Sequence, residues 1–409
     1  MKKKSSPVVP IAACLLVQVC VGIIYIWSVF KAPAMAVHGW AEGSTNLVAS
    51  FMLFSFCAGN FFGGAAADRI GPRKVCICGV LLFGTGILLS HFLPAGSSII
   101  LFYLSYCILG GLGSGVSYGS MLTCIQRWLP HRRGFATGIG AGAFGLSTVV
   151  FSPVADSLIK NLGFNTALGV LGMVFLIIGL LCCCFVRLPD EEYLASLPKP
   201  TSKAAAMQRE SMPFRQAVTT LPFWLLFLNI FLFNGTWNML NPLIKGLGLQ
   251  RGLSEEAAVI AVSLTGVANT TGRVLISTLS DRLGRINTLY TVSAITALCA
   301  LLLSFVSGWA YLLVVLLTAF AFGGPAAVNP AATTDFFGPR HMGANYGVIM
   351  MALGVSSIVF NTISNALYAA TGAYTLTFLM GAITAILNIA NCFLISRCLK
   401  KMGKPASAT

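Results

Sequence analysis

The stretch NTTGRVLISTLSDRLGR, residues 269–285, ends a long apolar run with a charged turn that begins at Asp281. From Ala257 to Ser280 the run carries no charge except Arg273. In a helix that rises 1.5 Å per residue, Arg273 lies ~12 Å from Asp281, close to the middle of a hydrocarbon core about 30 Å thick. A charge at that depth is costly, and charged residues inside membrane spans generally mark functional sites. The stretch therefore predicts a membrane helix with a functional cation at its centre.

Apolar runs of this kind recur along the chain, which has 409 residues, 56% of them hydrophobic and only 9% charged. Soluble proteins carry about 25% charged residues, so most of this surface faces lipid. The runs are continuous rather than alternating, and each is long enough to cross a bilayer as a helix. We predict an all-α membrane protein with twelve transmembrane helices, over residues 8–30, 44–67, 74–93, 98–126, 134–157, 164–187, 217–241, 256–280, 286–307, 310–334, 342–368 and 373–398.

The formal net charge of +15 reflects topology rather than an acidic polymer as partner. When the loops are assigned alternately to the two sides of the membrane, most of the 26 Lys and Arg residues fall on the side of the N-terminus. This asymmetry is the positive-inside rule, and it predicts that both termini are cytoplasmic. We expect no nucleic acid as a partner.

Two pairs of similar segments indicate an internal duplication. GAAADRIGPRK (64–74) follows the second apolar run, and STLSDRLGR (277–285) follows the eighth. PHRRGFATG (130–138) leads into the fifth run, and PRHMGANYG (339–347) leads into the eleventh. The two pairs have nearly equal offsets, as expected for a duplicated helical bundle with a substrate site at the interface of the repeats.

The chain between the two copies is polar and rich in proline, with the sequence RLPDEEYLASLPKPTSKAAAMQRESMPFR from Arg187 to Arg215. It is too long for a tight turn and reads as a cytoplasmic connector. We therefore predict a six-helix bundle over residues 1–188, a connector over 189–216 and a second six-helix bundle over 217–409.

These residues resemble a known family. The D-R-x-G-x-R-K turn at 68–74, with its weaker copy after the eighth run, resembles the signature of the major facilitator superfamily. Three further stretches are similar to the oxalate/formate antiporter family and its relatives, the monocarboxylate transporters: GIIYIWSVF (22–30), RWLPHRRGFATGI (127–139) and FFGPRHMGANYG (336–347). The resemblance covers nearly the whole chain. It implies two pseudo-symmetric bundles and transport by alternating access.

Arg273 is the main candidate for substrate binding. Its guanidinium is a planar fork that matches a carboxylate, although snorkelling or a structural ion pair would also explain its presence. The resemblance implies that Arg273 is the helix 8 arginine that engages the substrate carboxylate. Asn269 lies one helical turn earlier on the same face. Related animal transporters have an aspartate there, which is implicated in proton coupling, whereas Asn does not titrate.

Leu353 is the second informative position. In oxalate-transporting relatives, AKG follows the NYG of helix 11, and its lysine binds the second carboxylate. Here the sequence reads NYGVIMMALGVSS, and Leu353 occupies the lysine position. With a single cation a dianion would be poorly compensated in low dielectric, so we expect a monocarboxylate such as lactate or pyruvate. Oxalate/formate-type anion exchange is the alternative.

Further candidates for the binding cavity are aromatic or amide side chains. Tyr118, in GSGVSYGS, is either a packing residue or a hydrogen-bond donor to the substrate carboxylate. The resemblance to lactate-transporting relatives favours the role of donor. Each of the others has an alternative role in helix packing or in an interhelical hydrogen bond. These candidates are Tyr25 and Trp27 on helix 1 and Asn238, Asn329 and Asn361 on later helices.

The charged turns after helices 2 and 8 are predicted to act as conformational latches that bias the inward and outward states without touching substrate. The predicted latch residues are Asp68, Arg69, Arg73, Asp281, Arg282 and Arg285.

Two glycine motifs have another explanation. GAGAFG (140–145) matches the dinucleotide-binding pattern G-x-G-x-x-G, which needs a preceding strand and a helix that begins there. Here the motif lies within an apolar helix, so we interpret it, like GGLGSG (110–115), as close helix packing through small residues.

Several other function classes are disfavoured. The thirteen cysteines lie mainly in apolar runs without His partners, as expected for inert buried thiols, and we predict no metal and no cofactor. The apolar runs contain no cluster of His, Asp and Glu of the kind that would indicate the active site of an enzyme. A non-transporting membrane sensor remains an alternative of another class, although the connector and tails are short. We expect a monomer in a bacterial inner membrane that binds a small carboxylate and uses protons or a counter-anion.

Overall fold

The computed structural model describes residues 6–130, 133–195, 211–338 and 342–401. Within these ranges the regular elements are all helical, and twelve helices are long and apolar enough to cross a membrane. Helices satisfy every backbone group internally, which is the condition for crossing lipid. The predicted all-α membrane fold is confirmed.

We number the twelve helices in chain order. They are α1 (Val8–His38), α2 (Glu42–Ile70), α3 (Pro72–His91), α4 (Ile99–Trp128), α5 (Arg133–Leu162), α6 (Phe164–Phe185), α7 (Leu221–Gln250), α8 (Glu255–Leu283), α9 (Arg285–Leu302), α10 (Gly308–Phe337), α11 (Met342–Thr371) and α12 (Thr375–Lys401). Since the number of spans is even, α1 begins and α12 ends on the same side of the membrane. We call this side the terminal face and the other the opposite face.

Helix α1 is longer than predicted, because it continues past residue 30 to His38. The sequence prediction stopped before Lys31, whose charge is unfavourable in a membrane helix. In the structure Lys31 Nζ lies 2.8 Å from Glu42 Oε1, so the charge is neutralised within the first half of the chain. The helix ends where Gly39 adopts φ +69° and donates its N–H to the Met35 carbonyl at 2.8 Å.

Helix α7 also extends beyond its predicted end, from residue 241 to Gln250. It narrows to a 3₁₀ turn at Asn241–Leu243 and then continues as an α-helix. Lys245 lies in this extension, and its Nζ is 3.1 Å from Asp156 Oδ1 on α5. A cation near the end of a span is tolerated when a carboxylate compensates it, and this pairing is not visible in a local hydropathy pattern.

Helices α1–α6 form one half of the chain and α7–α12 the other, and two helix pairs make the most extensive contacts between them. In the first pair, α2 runs antiparallel to α11. Asn46 Nδ2 donates to Asn365 Oδ1 at 2.8 Å near the opposite face. Deeper in the membrane, Asn361 Nδ2 donates to Ser50 Oγ at 2.7 Å. These hydrogen bonds between polar side chains connect the two halves within the membrane.

The second pair is α5 with α8, whose backbones approach closely through small residues. Thr270 Oγ1 donates to the Gly142 carbonyl at 3.0 Å. A Cβ atom added to Gly266 would lie 2.6 Å from the Gly145 carbonyl oxygen, a separation that real Cβ atoms essentially never show. The motif at 140–145 lies within α5, and its predicted role in helix packing is confirmed.

The motif at 110–115 packs α4 in the same way. A Cβ on Gly113 would lie 2.2 Å from the Phe83 nitrogen of α3, and one on Gly115 would lie 2.0 Å from the Phe56 carbonyl oxygen of α2. Both glycines face the backbone of a neighbouring helix, so their role in packing is confirmed as well.

The end of the predicted connector packs on the terminal face. A short helix occupies Glu191–Ala195, while residues 196–210 lie outside the described part of the chain. The Met212 N–H donates to the Phe337 carbonyl at 2.8 Å, which attaches this segment to the end of α10. The predicted duplication and the bounds of its two bundles stay predictions.

The predicted latches also lie on the terminal face. Arg285 Nε is 3.8 Å from Asp335 Oδ2, and its guanidinium donates to Ser280 Oγ. Arg69 and Arg73 are exposed. The side chains of three predicted latch residues lie outside the described part of the structure: Asp68, Asp281 and Arg282.

We expect Gly266→Ala to destabilise the protein, because the new methyl group would force α8 away from α5. Overpacking of this kind typically costs about 1–3 kcal/mol. The measurement is the thermal unfolding midpoint, Tm, of the purified protein in detergent. Gly246→Ala is the matched control, because a Cβ there meets no atom within 4 Å. Equal Tm values for the two variants would contradict the proposed close contact.

Candidate functional site

Arg273 is buried between the two halves, with 3% of its surface exposed. Its Nε donates to Asn269 Oδ1 at 2.7 Å, so the two residues share one face of α8 as predicted. A terminal nitrogen of its guanidinium donates to the Ala141 carbonyl of α5 at 2.5 Å. One side chain therefore links α8 of the second half to α5 of the first.

The bond to Ala141 depends on the glycine contacts described above. A backbone carbonyl inside a helix already accepts its own helical hydrogen bond, but its second lone pair remains available. That lone pair is within reach of α8 only because small residues let the two helices touch. Among the described residues no carboxylate pairs with Arg273, so two neutral oxygen atoms hold the cation.

Arg273 lies at the deep end of a cavity of about 140 Å³ between the two halves. The cavity extends from the membrane interior toward the terminal face, and residues near the terminal ends of α2, α4, α5 and α11 line it there. Those residues are Asn60, Gly64, Gln126, Thr137 and Tyr346. Among the described residues that line it, Arg273 is the one that carries a charge.

Aromatic rings form the wall around the guanidinium. Phe144 packs edge-on against both Tyr25 and Tyr118, with ring centroids 5.5 and 5.0 Å apart. Phe322 stacks on Trp237 at 5.0 Å and closes the cavity on the side of the opposite face. The tyrosines add hydroxyl groups to this aromatic wall, and both line the same cavity as Arg273.

Most of the predicted site residues meet at this cavity. Tyr25, Tyr118 and Leu353 line it together with Arg273. Asn329 also lines it, and its buried Oδ1 has no partner among the described residues. Asn269 is not part of the cavity lining. It holds the Arg273 side chain instead, which makes it a positioning residue.

The structure places three predicted residues outside this cavity, and each makes a hydrogen bond to a neighbouring helix, so a role in substrate binding stays a prediction for them. Trp27 is 1% exposed, and its Nε1 donates to the Thr45 carbonyl at 2.7 Å within the first half. Asn361 bonds to Ser50 on α2, as described above. Asn238 donates to Ser356 Oγ at 3.1 Å and borders a separate narrow void. In each case a buried polar group is satisfied by a neighbouring helix.

Sequence reasoning missed many of the residues that form the site, and three contributors show why. Tyr346 is part of the NYG motif of α11, so the motif gave a signal for it. Phe322 lies in an apolar stretch of α10, and nothing in the sequence distinguishes it from a packing residue. The Ala141 carbonyl has no sequence signature at all, because every residue carries one.

The chemistry that this site offers is one buried cation with further hydrogen-bond donors around it. At the deep end the guanidinium and the hydroxyls of Tyr25 and Tyr118 are hydrogen-bond donors beside aromatic rings, and amide and hydroxyl side chains line the cavity toward the terminal face. Among the described residues no group of His, Cys, Asp and Glu is suited to a metal ion. Asn269 and Ala141 use two of the five N–H donors of Arg273, so a carboxylate can bind the remaining donors or displace the Ala141 carbonyl.

Comparison with known proteins identifies relatives over nearly the whole chain. A family model described as Major Facilitator Superfamily matches residues 12–360. The chain is 26% identical over 402 residues to the oxalate:formate antiporter of Oxalobacter formigenes, with 97% of this chain and 92% of the relative covered. It is 24% identical to monocarboxylate transporter 12 of Rattus norvegicus, with 90% of this chain and 81% of the relative covered.

A solved structure shows the same fold. A D-xylose–proton symporter matches with a TM-score of 0.75 over 98% of this chain and 99% of that one. Its sequence identity is 16%, so the likeness concerns the fold alone.

We expect Asn269→Leu to lower Tm, because the buried guanidinium loses an acceptor at a cost of roughly 1–3 kcal/mol. The same change in an Arg273→Met background is expected to cost far less, since no cation is left to satisfy. A double-mutant cycle of Tm values measures this coupling. Thr271→Val, an exposed position on the same helix, is the control. Additive effects of the two substitutions would contradict the positioning role of Asn269.

Proposed function

The chain belongs to the Major Facilitator Superfamily, and within it we propose a secondary active transporter of small monocarboxylates of the lactate and pyruvate type. As the resemblance implied, it is a multi-pass membrane transporter and not an enzyme. The observation that carries the proposal is the buried Arg273, which faces the cavity between the halves without a described carboxylate partner. Such a cation favours an anionic substrate.

In the proposed mechanism the substrate carboxylate replaces the Ala141 carbonyl as the partner of Arg273. Carboxylate and guanidinium form two parallel hydrogen bonds, roughly twice as strong as those to a neutral acceptor. Tyr25 and Tyr118 donate further hydrogen bonds from the cavity wall. Because the bond to Ala141 crosses the two halves, its replacement by substrate would also release one connection between them. Alternating access follows from rocking of the halves around the bound carboxylate.

The apolar wall favours a monoanion over a dianion. Leu353 lines the same cavity as Arg273 and is 8% exposed, so a methyl or other small apolar tail would pack against it. A second carboxylate at that place would be buried without a partner, which costs several kcal/mol. Lactate and pyruvate satisfy both conditions.

Proton coupling is the second part of the proposal. No carboxylate is among the described residues that line the cavity, and Asn269 does not titrate. We therefore infer that the proton travels with the acid itself rather than on a side chain of the site. The likeness to an oxalate:formate antiporter supports a second candidate, anion exchange, in which a counter-substrate returns the carrier.

The proposal also includes the orientation and state of the protein. The excess of Lys and Arg on the side of the N-terminus supports a cytoplasmic terminal face, and we propose a monomer in a cell inner membrane. The charged turns after α2 and α8 would act as conformational latches on that face.

We expect labelled L-lactate to enter proteoliposomes faster when an inward proton gradient is present. Arg273→Gln is expected to reduce this uptake about 100-fold, since it removes a charge-assisted pair. Arg397→Gln, an exposed arginine of α12, is the matched control and should retain uptake. Absence of lactate uptake by the native protein under either condition would overturn the lactate assignment. Exchange against preloaded oxalate or formate would then support the antiport candidate.

We expect Leu353→Lys to shift selectivity toward dianions, because a second cation would face the cavity opposite Arg273. Oxalate should then compete with labelled lactate about tenfold more strongly than in the native protein. Leu353→Met keeps the volume without the charge and is the control. If oxalate competes equally with both variants, Leu353 does not determine substrate charge.

A further inference from the structure

A second cavity lies between the halves at the opposite face, about 200 Å³ in volume. Two lysines border it, Lys31 on α1 and Lys245 on α7, together with Glu42 and Tyr374. Lysines that line a cavity between the two halves are candidates for binding an anion. Whether each lysine is available for an anion depends on the carboxylates that it pairs with.

Lys245 is the more buried of the two, with 10% of its side chain exposed. Its Nζ lies 3.1 Å from Asp156 Oδ1 of the first half and 3.6 Å from Glu255 Oε1 of its own half. The pair with Asp156 is thus one of the contacts that hold the halves together at this face. Lys160 and Glu255 make a second, longer one at 3.6 Å.

The carboxylate of Asp156 has a replacement partner when the halves separate. Lys160 lies one turn further along α5, and its Nζ is 2.9 Å from Asp156 Oδ2. Lys245 retains only Glu255, whose side chain is 56% exposed and 3.6 Å away, so water and salt weaken the pair. Separation therefore leaves Asp156 compensated and frees one side of Lys245.

Lys31 does not become free in the same way. Its partner Glu42 belongs to the same half and lies 2.8 Å away. Burial raises the pKa of Tyr374, which keeps the hydroxyl protonated, and it donates to Glu42 Oε1 at 3.1 Å. Lys31 and Glu42 therefore stay paired whether or not the halves separate.

The path from Lys245 to Arg273 runs along one face of α7. Asn238 and Asn241 precede Lys245 at helical spacing and border the narrow void between the two cavities, which measures about 10 Å³. Tyr25 lines both this void and the cavity of Arg273. Asn241 of this void is followed directly by Pro242, which lines the cavity of Lys245, so the void lies between the two cavities.

We propose that Lys245 is a second carboxylate-binding residue, which captures the substrate at the opposite face before it reaches Arg273. In this structure the Asp156 carboxylate occupies the position that the substrate carboxylate takes when the halves separate. The assignment rests on the proposed transport of carboxylates and adds to it an entry site on one face only. Asp156 then competes with the substrate for Lys245, and its ion pair with Lys245 also holds the two halves together at the opposite face.

The test compares Lys245→Gln with Asp156→Asn in membrane vesicles of either orientation. Both variants break the same ion pair, but only the first removes the cation. Lys245→Gln is expected to raise the KM for lactate supplied at the opposite face about tenfold, the effect of losing one charge-assisted hydrogen bond. The KM for lactate supplied at the terminal face should stay within about twofold of the native value. Lys245→Arg should restore the opposite-face KM.

Asp156→Asn is expected to leave the opposite-face KM unchanged or lower it, because a competitor is removed and the cation stays. If both variants raise that KM equally, the ion pair only holds the two halves together, and the proposal is overturned. The same holds if Lys245→Gln changes neither KM. If Lys245→Gln does not fold, a raised opposite-face KM in Asp156→Asn overturns the proposal by itself. Native protein that moves no lactate, formate or oxalate overturns the proposed function and this assignment together.

Discussion

The structure depends on the need to satisfy one guanidinium in the middle of a membrane. Arg273 has no described carboxylate partner, and it is held by Asn269 on its own helix and by the Ala141 carbonyl on the other half. A charge at this depth is stable only where several acceptors converge on it. The glycines of α5 and α8 provide that convergence, because they bring the two backbones into contact. The close packing of α5 against α8 and the stabilisation of the Arg273 charge therefore depend on each other.

This constraint joins the candidate binding site to the interface between the halves. The donor that faces the cavity is also a donor in a hydrogen bond that crosses from α8 to α5. In the proposed mechanism an anion that displaces the Ala141 carbonyl alters a connection between the two halves, so binding and conformational change share one group. Such an arrangement gives a ligand different interaction energies in two conformations, which is the condition for it to shift their equilibrium.

At the opposite face a buried cation is again held by a partner on the other half, but there the partner is a carboxylate. There Lys245 is paired across the interface with Asp156, while Lys160 and Glu255 provide a second partner on each half. Each ion that leaves its cross-interface partner still has an opposite charge nearby, so separation does not strand a buried charge. The deep cation relies on neutral oxygens instead, since a permanent carboxylate there would compete with the proposed substrate at every step.

The sequence by itself determined the class, the number of spans and the central cation, because hydropathy, charge asymmetry and the position of Arg273 are local properties. It also placed Asn269 on the face of Arg273, since one helical turn separates them. Only the tertiary structure showed that Trp27 and Asn361 lie outside the cavity of Arg273, that Tyr346 and Phe322 line it, and that α1 and α7 continue through Lys31 and Lys245. Those outcomes depend on partners far away in the chain, such as a backbone carbonyl or a carboxylate on another helix, which no local pattern encodes.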